Sequence, residues 1–131
     1  MIGLDTNVLV RYIMQDDPKQ SIKATTLIES LNADHLGFIS VVSVLELYWV
    51  LTSCYGLTNH QVKQALDVLL RTKQIIVDCA DQVLRALRTF EAGKADFADC
   101  LIERTAASAG CEQIFTFDVN ASKYAGMTLI R

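Results

Sequence analysis

Short apolar runs of strand length recur along this chain at residues 1–5, 37–40, 75–77, 114–117 and 127–130, and longer stretches of helical periodicity separate most of them. That alternation restricts the fold more than any other feature. Neighbouring parallel strands need a crossover of roughly a dozen residues or more, and a helix is its usual form. The expected architecture is therefore α/β, with a mainly parallel five-stranded sheet covered by helices on both faces. A chain of 131 residues is long enough for one real core but not for a second, so a single domain over residues 1–131 is expected. No repeat, low-complexity tract or proline-rich linker divides it.

The helix boundaries are written in local chemistry. Asp17 followed by Pro18 supplies an N-cap and a first helical residue, with Ile22, Leu27, Ile28 and Leu31 as the expected apolar face. Residues 41–51 read as a buried helix. Thr58 to Gln61 fits a capping box that opens a helix through Val62, Leu66, Leu69 and Leu70. Val83, Leu84, Leu87 and Phe90 space a helix over residues 81–90 that stops near Gly93, and a further helix over residues 96–109 ends at Gly110.

Four carboxylates stand out against this frame. Asp5 and Asp118 each close an apolar run, and in open α/β sheets ligands bind at the carboxyl ends of strands. Glu46 is the only charged side chain between His35 and His60, inside a run of Val, Leu, Tyr and Trp where an isolated carboxylate is costly to bury. Asp99 lies in the helical stretch ADFADCLIERTA. Like charges ~4 Å apart repel by roughly 4 kcal/mol per pair at an effective dielectric near 20, so four converging acids either protonate or hold a cation. An all-oxygen set suits a hard divalent ion, Mg²⁺, with Mn²⁺ as a substitute.

The formal net charge of −3 argues against coating nucleic acid by bulk electrostatics, so any such contact must be local. Lys19, Lys23, Arg71, Lys73, Arg85, Arg88 and Lys94 are its candidates, although scattered cations are ordinarily a solvated surface. No apolar stretch is long enough to span a bilayer and no secretory leader precedes the first strand, so a cytoplasmic protein with no membrane association is expected. Cys54, Cys79, Cys100 and Cys111 show no CxxC spacing and read as reduced core thiols. His35 and His60 read as surface residues, and neither a Ser/His/Asp arrangement nor a glycine-rich phosphate loop is present.

Taken together, LDTNVLV, ISVVSVLELYWVL, ADFADCLIERTAASAG and TFD followed by Ala and Tyr resemble, in order and along the whole chain, the four acidic blocks of the PIN domain, in particular of the VapC toxins of toxin–antitoxin pairs. The resemblance implies a three-layer α/β/α PIN-like fold and a Mg²⁺-dependent endoribonuclease, usually homodimeric, held inactive by a cognate antitoxin that inserts a segment into the active site. It makes Asp5, Glu46, Asp99 and Asp118 the catalytic, metal-binding set, with Asp5 and Asp99 as the foremost direct ligands. Thr6, Asn7 and Thr116 are supporting positions. ADFAD offers two aspartates; Asp99 matches the family block, and Asp96 is kept as a supporting residue.

Each acid also has an ordinary reading. Asp5 can cap a helix beginning at Thr6, Glu46 can close a capping box with Ser43, Asp99 can be a surface acid, and Asp118 an Asx-turn residue. Asp78 also follows an apolar strand but matches no family acid, and reads as a loop or cap residue. The main alternative function is a catalytically inactive PIN-like protein-binding module. A metal-dependent phosphatase is a more distant one, since the first strand carries Asp-Thr-Asn and lacks a DxD pair. Tyr48, Trp49 and Tyr55 exceed what one small core obviously needs and point to an interface.

Overall fold

Ser40, Thr58, Asp17 and three further aspartates decide where the helices of this chain begin. The computed structural model describes residues 1–131. In chain order it contains β1 (Ile2–Gly3), α1 (Thr6–Met14), α2 (Pro18–Glu29), β2 (Gly37–Ile39), α3 (Val41–Ser53), α4 (Asn59–Arg71), β3 (Ile75–Val77), α5 (Ala80–Ala92), α6 (Phe97–Ser108), β4 (Phe115–Thr116), α7 (Val119–Tyr124) and β5 (Thr128–Leu129). These elements form two compact units, Met1–Asp78 and Cys79–Arg131.

In the first unit β1, β2 and β3 form a parallel ladder in that order, with Ile2 opposite Gly37 and Gly37 opposite Ile75. The buried row beyond the start of this register is Leu4, Ile39 and Val77. Helix α1 packs on α2 and α3, and α3 packs on α4. The Asp17 carboxylate accepts from the amides of Lys19 and Gln20 with Pro18 at the helix start, and Thr58 and Gln61 complete the expected capping box. The inward face of α2 differs from expectation. Ser21, Ala24 and Ile28 are buried, whereas Ile22 and Leu27 are exposed, because small side chains allow α2 to approach α1 closely.

Gly37 is the tightest point of this unit. A Cβ there would lie 2.9 Å from Leu31 Cδ1 and 3.0 Å from Leu4 Cδ1. Gly37→Val should therefore destabilise the protein by about 1–3 kcal/mol through overpacking, read as a lower urea midpoint. Gly37→Ala should cost less, because both obstructing atoms are the ends of flexible leucines.

In the second unit α5 packs on α6, with Phe90 and Phe97 edge to face at 5.8 Å, and β4 pairs parallel with β5. All five expected strands are present and every strand pairing is parallel, but the ladders contain three and two strands. The strands are shorter than their apolar runs because Asp5 and Asp118 turn the chain into a helix as soon as each strand ends. Helix α7 was not expected. Of the four cysteines, all free, only Cys100 is buried, so the reading of core thiols fails for Cys54, Cys79 and Cys111.

Candidate metal centre

Three of the acids singled out above are helix caps. Asp5 Oδ1 accepts from the Thr6 amide at 2.7 Å. Asp96 Oδ1 accepts from Ala98 at 2.8 Å and Asp99 at 3.3 Å, and Asp118 Oδ1 from Asn120 at 2.7 Å and Ala121 at 3.2 Å. Their ordinary readings are thus structurally real. In Asp5 and Asp118 the work falls on one oxygen, and Oδ2 keeps no protein partner. A cap of this kind and a cation ligand are compatible, since each carboxylate has two oxygens to offer.

Within the first unit, Asp5, Thr6, Asn7 and Glu46 line one cavity of about 420 Å³ between α1 and α3. Thr6 is buried, and its Oγ1 has no hydrogen-bond partner. Glu46 is exposed and makes no ion pair, on the same outward face of α3 as Val42 and Trp49. The expectation that Glu46 is buried among apolar neighbours is therefore corrected: spacings of four and three residues from Val42 and Trp49 put it on the solvent side of the helix. Ser40, not Ser43, caps α3, its hydroxyl accepting from the Ser43 amide at 3.1 Å, which removes the capping-box role for Glu46.

Within the second unit, burial pushes the Asp99 carboxyl above its ordinary value, and the charges of Asp96 and Asp118 push it further. The Asp99 side chain is half-buried and has no hydrogen-bond or ion-pair partner. Glu103, one turn on, is engaged by its neighbour Arg104, whose Nη2 donates to Oε1 at 2.6 Å and whose Nε donates to Oε2. Asp96 precedes α6 as its cap, and its Oδ1 accepts from the Asp99 amide. Burial, with Asp96, Asp99 and Glu103 adding charge, holds the Cys100 thiol at about 11. Thr116 Oγ1 accepts from the Asp118 amide at 3.0 Å and so fixes the acid it supports.

No group of three His, Cys, Asp or Glu side chains is arranged to hold a metal ion. The first unit holds the cavity lined by Asp5 and Glu46, and the second holds Asp99 within electrostatic reach of Asp96 and Asp118. Asp78 stands apart: its amide donates to the Ile39 carbonyl at 2.8 Å, and Cys79, with a positive φ of 54°, occupies the cap position of α5. His35 and His60 are exposed, as expected.

The PIN domain family profile matches residues 2–127, and this chain belongs to the PIN domain family. The parallel α/β fold is that of the family. Among solved structures, the chain is similar to VapC20 of Mycobacterium tuberculosis, described as a sarcin-ricin loop cleaving toxin, at 19% identity and a TM-score of 0.47, over 100% of this chain and 99% of that one. A comparison with curated proteins finds no significant match. No helix is long and apolar enough to cross a membrane.

Proposed function

We propose that this chain is a single PIN-like domain acting as a metal-dependent endoribonuclease, the toxin of a toxin–antitoxin pair, with Asp5, Glu46, Asp99 and Asp118 as its metal-holding set. The observation that carries the reading is PIN family membership over nearly the whole chain, together with unpartnered carboxylate oxygens at every position of the set. The donors fit a hard divalent ion. They are all oxygen, Asp5 and Asp118 keep Oδ2 available, and Thr6 Oγ1 is an orphaned buried acceptor beside Asp5. Mg²⁺, or Mn²⁺ in its place, would be held by the four acids and supply Lewis acidity and a water of lowered pKa.

The chain's own part is to orient. Cap bonds fix Asp5 and Asp118 before any ligand arrives, so little side-chain entropy remains to be lost on binding. Thr116 holds the Asp118 amide, Thr6 and Asn7 line the cavity, and Asp96 fixes the start of α6. No residue outside the acids offers a rival nucleophile activator.

The partner reading is an RNA substrate, a cognate antitoxin, a second copy of the chain, and a cytoplasmic setting. Tyr48 fills the core, whereas Trp49 is 49% exposed next to Glu46 on α3, where an aromatic suits an interface. The second reading, a PIN-like module that binds protein and cuts nothing, draws on the capping roles of Asp5, Asp96 and Asp118, which give each a use without metal. Incubation with total RNA in Mg²⁺ separates the two: discrete new 5′ ends support the nuclease, and intact RNA alongside firm antitoxin binding supports the module. Light scattering should give a dimer, and co-expression with the neighbouring antitoxin gene should suppress cleavage. A strict monomer at high concentration removes the dimer, and cleavage unchanged by co-expression removes the antitoxin.

A further inference from the structure

Arg11, in the last turn of α1, is held by a set of bonds that no capping or core role requires. Its Nε donates to Gln20 Oε1 at 2.8 Å, and its Nη1 to Asp16 Oδ1 at 3.1 Å and the Tyr55 hydroxyl at 3.4 Å. The Tyr55 hydroxyl donates to Asp16 Oδ2 at 2.7 Å, so Asp16 is fixed through both oxygens. These contacts use three of the five guanidinium N–H groups, and Nη2 keeps its two donors free.

The place of this guanidinium gives it a use. Arg11 and Asn7 line both the acidic cavity of Asp5 and Glu46 and a second cavity of about 260 Å³ between α1 and α2. Gln20 and Lys23 line the second cavity, and Lys23 makes no ion pair. A cation fixed where an acidic cavity meets a basic one, in a chain of net charge −3, matches an anionic polymer that must reach the acids without being repelled. Arginine binds phosphate through its planar fork, and prior fixing by Asp16, Tyr55 and Gln20 lowers the ordering cost.

We propose that Arg11, with Lys23 beyond it, binds a backbone phosphate of the RNA strand beside the acidic cavity, and that Asp16 and Tyr55 are positioning residues for its guanidinium. The proposal rests on the ribonuclease reading. The probe is a fluorescein-labelled RNA oligonucleotide that the wild-type protein cleaves, with binding followed by anisotropy against KCl in an Asp99→Asn background and cleavage followed in the active protein.

Arg11→Gln should weaken binding about tenfold, as loss of a charged hydrogen bond does, and lower the salt slope by roughly 0.7, as loss of one single-strand phosphate contact does. In the active protein it should raise KM with kcat little changed. Arg11→Lys should keep the slope and lose part of the affinity, and Tyr55→Phe should raise KM by less. Asp16→Asn loosens the guanidinium without removing the phosphate contact, so it should raise KM by less than Arg11→Gln and leave the salt slope unchanged, whereas an ion pair that serves only the fold would lower the Tm and leave KM and slope as they are. Should Arg11→Gln fail to fold by circular dichroism, Arg11→Lys and Tyr55→Phe carry the test. Unchanged affinity and slope in the Arg11 variants, with wild-type cleavage intact, overturns the phosphate site and spares the ribonuclease. A wild-type protein that neither binds nor cuts RNA overturns both.

Discussion

Chelation with EDTA should abolish RNA cleavage by the purified protein, and added Mg²⁺ or Mn²⁺ should restore it. On the proposed reading the acids act through a bound cation, and His35 and His60 lie outside the cavity of Asp5 and Glu46. Removal of a single electrostatic stabiliser of a transition state costs about 10²–10³-fold, and removal of the cation takes away the largest local charge. Binding should also be visible without turnover, since a ligand at a hundred times its Kd stabilises a folded protein by about 2.7 kcal/mol. The pH dependence follows from Asp99. Burial and the neighbouring charges of Asp96 and Asp118 raise its carboxyl, so protons compete with the cation at a higher pH than at an ordinary aspartate. Metal-induced stabilisation should accordingly fade as pH drops through that raised value. Cleavage at equal rate in EDTA, lost on changing His35 or His60, would sink the metal mechanism.

The fold was legible wherever its determinants are local. Asp17-Pro18 and Thr58 to Gln61 act within one helical turn, and the structure uses both as the sequence suggests. What was hidden depends on which way a helix faces. Residues 41–51 are apolar almost throughout, so periodicity does not mark a solvent side or reveal that Glu46 shares the outer face with Val42 and Trp49. On α2 the larger Ile22 and Leu27 suggest the apolar face, but close packing selects Ser21 and Ala24. Helix α7 is a six-residue element with no apolar stripe, and its one signal was Asp118 itself, whose Oδ1 caps it. Asp5 and Asp118 stand out by their place after short strands and by family resemblance, and that same place gives them a second use as caps of the helices that follow.

That second use governs the strongest mutational result expected. On the proposed reading, Asp5→Asn and Asp99→Asn should each lower cleavage by at least about 10²–10³-fold, since each would remove a charged ligand. Their stabilities should differ. Asn caps a helix about as well as Asp, so Asp5→Asn should leave the Tm of the metal-free protein nearly unchanged, whereas Asp5→Ala should cost about 1 kcal/mol through loss of the cap bond to Thr6. Asp99 caps nothing and pairs with nothing. Its raised pKa means that the folded state holds the proton more tightly than the unfolded chain. Its contribution is therefore fully present below the unfolded pKa and is lost as pH rises through the folded one. At neutral pH the ionised side chain works against folding, and Asp99→Asn should raise the metal-free Tm while abolishing the metal-induced rise. Asp78→Asn serves as the control, with cleavage and metal response both retained. If Asp78→Asn destroys activity and Asp99→Asn does not, the acidic set has been assigned to the wrong residues.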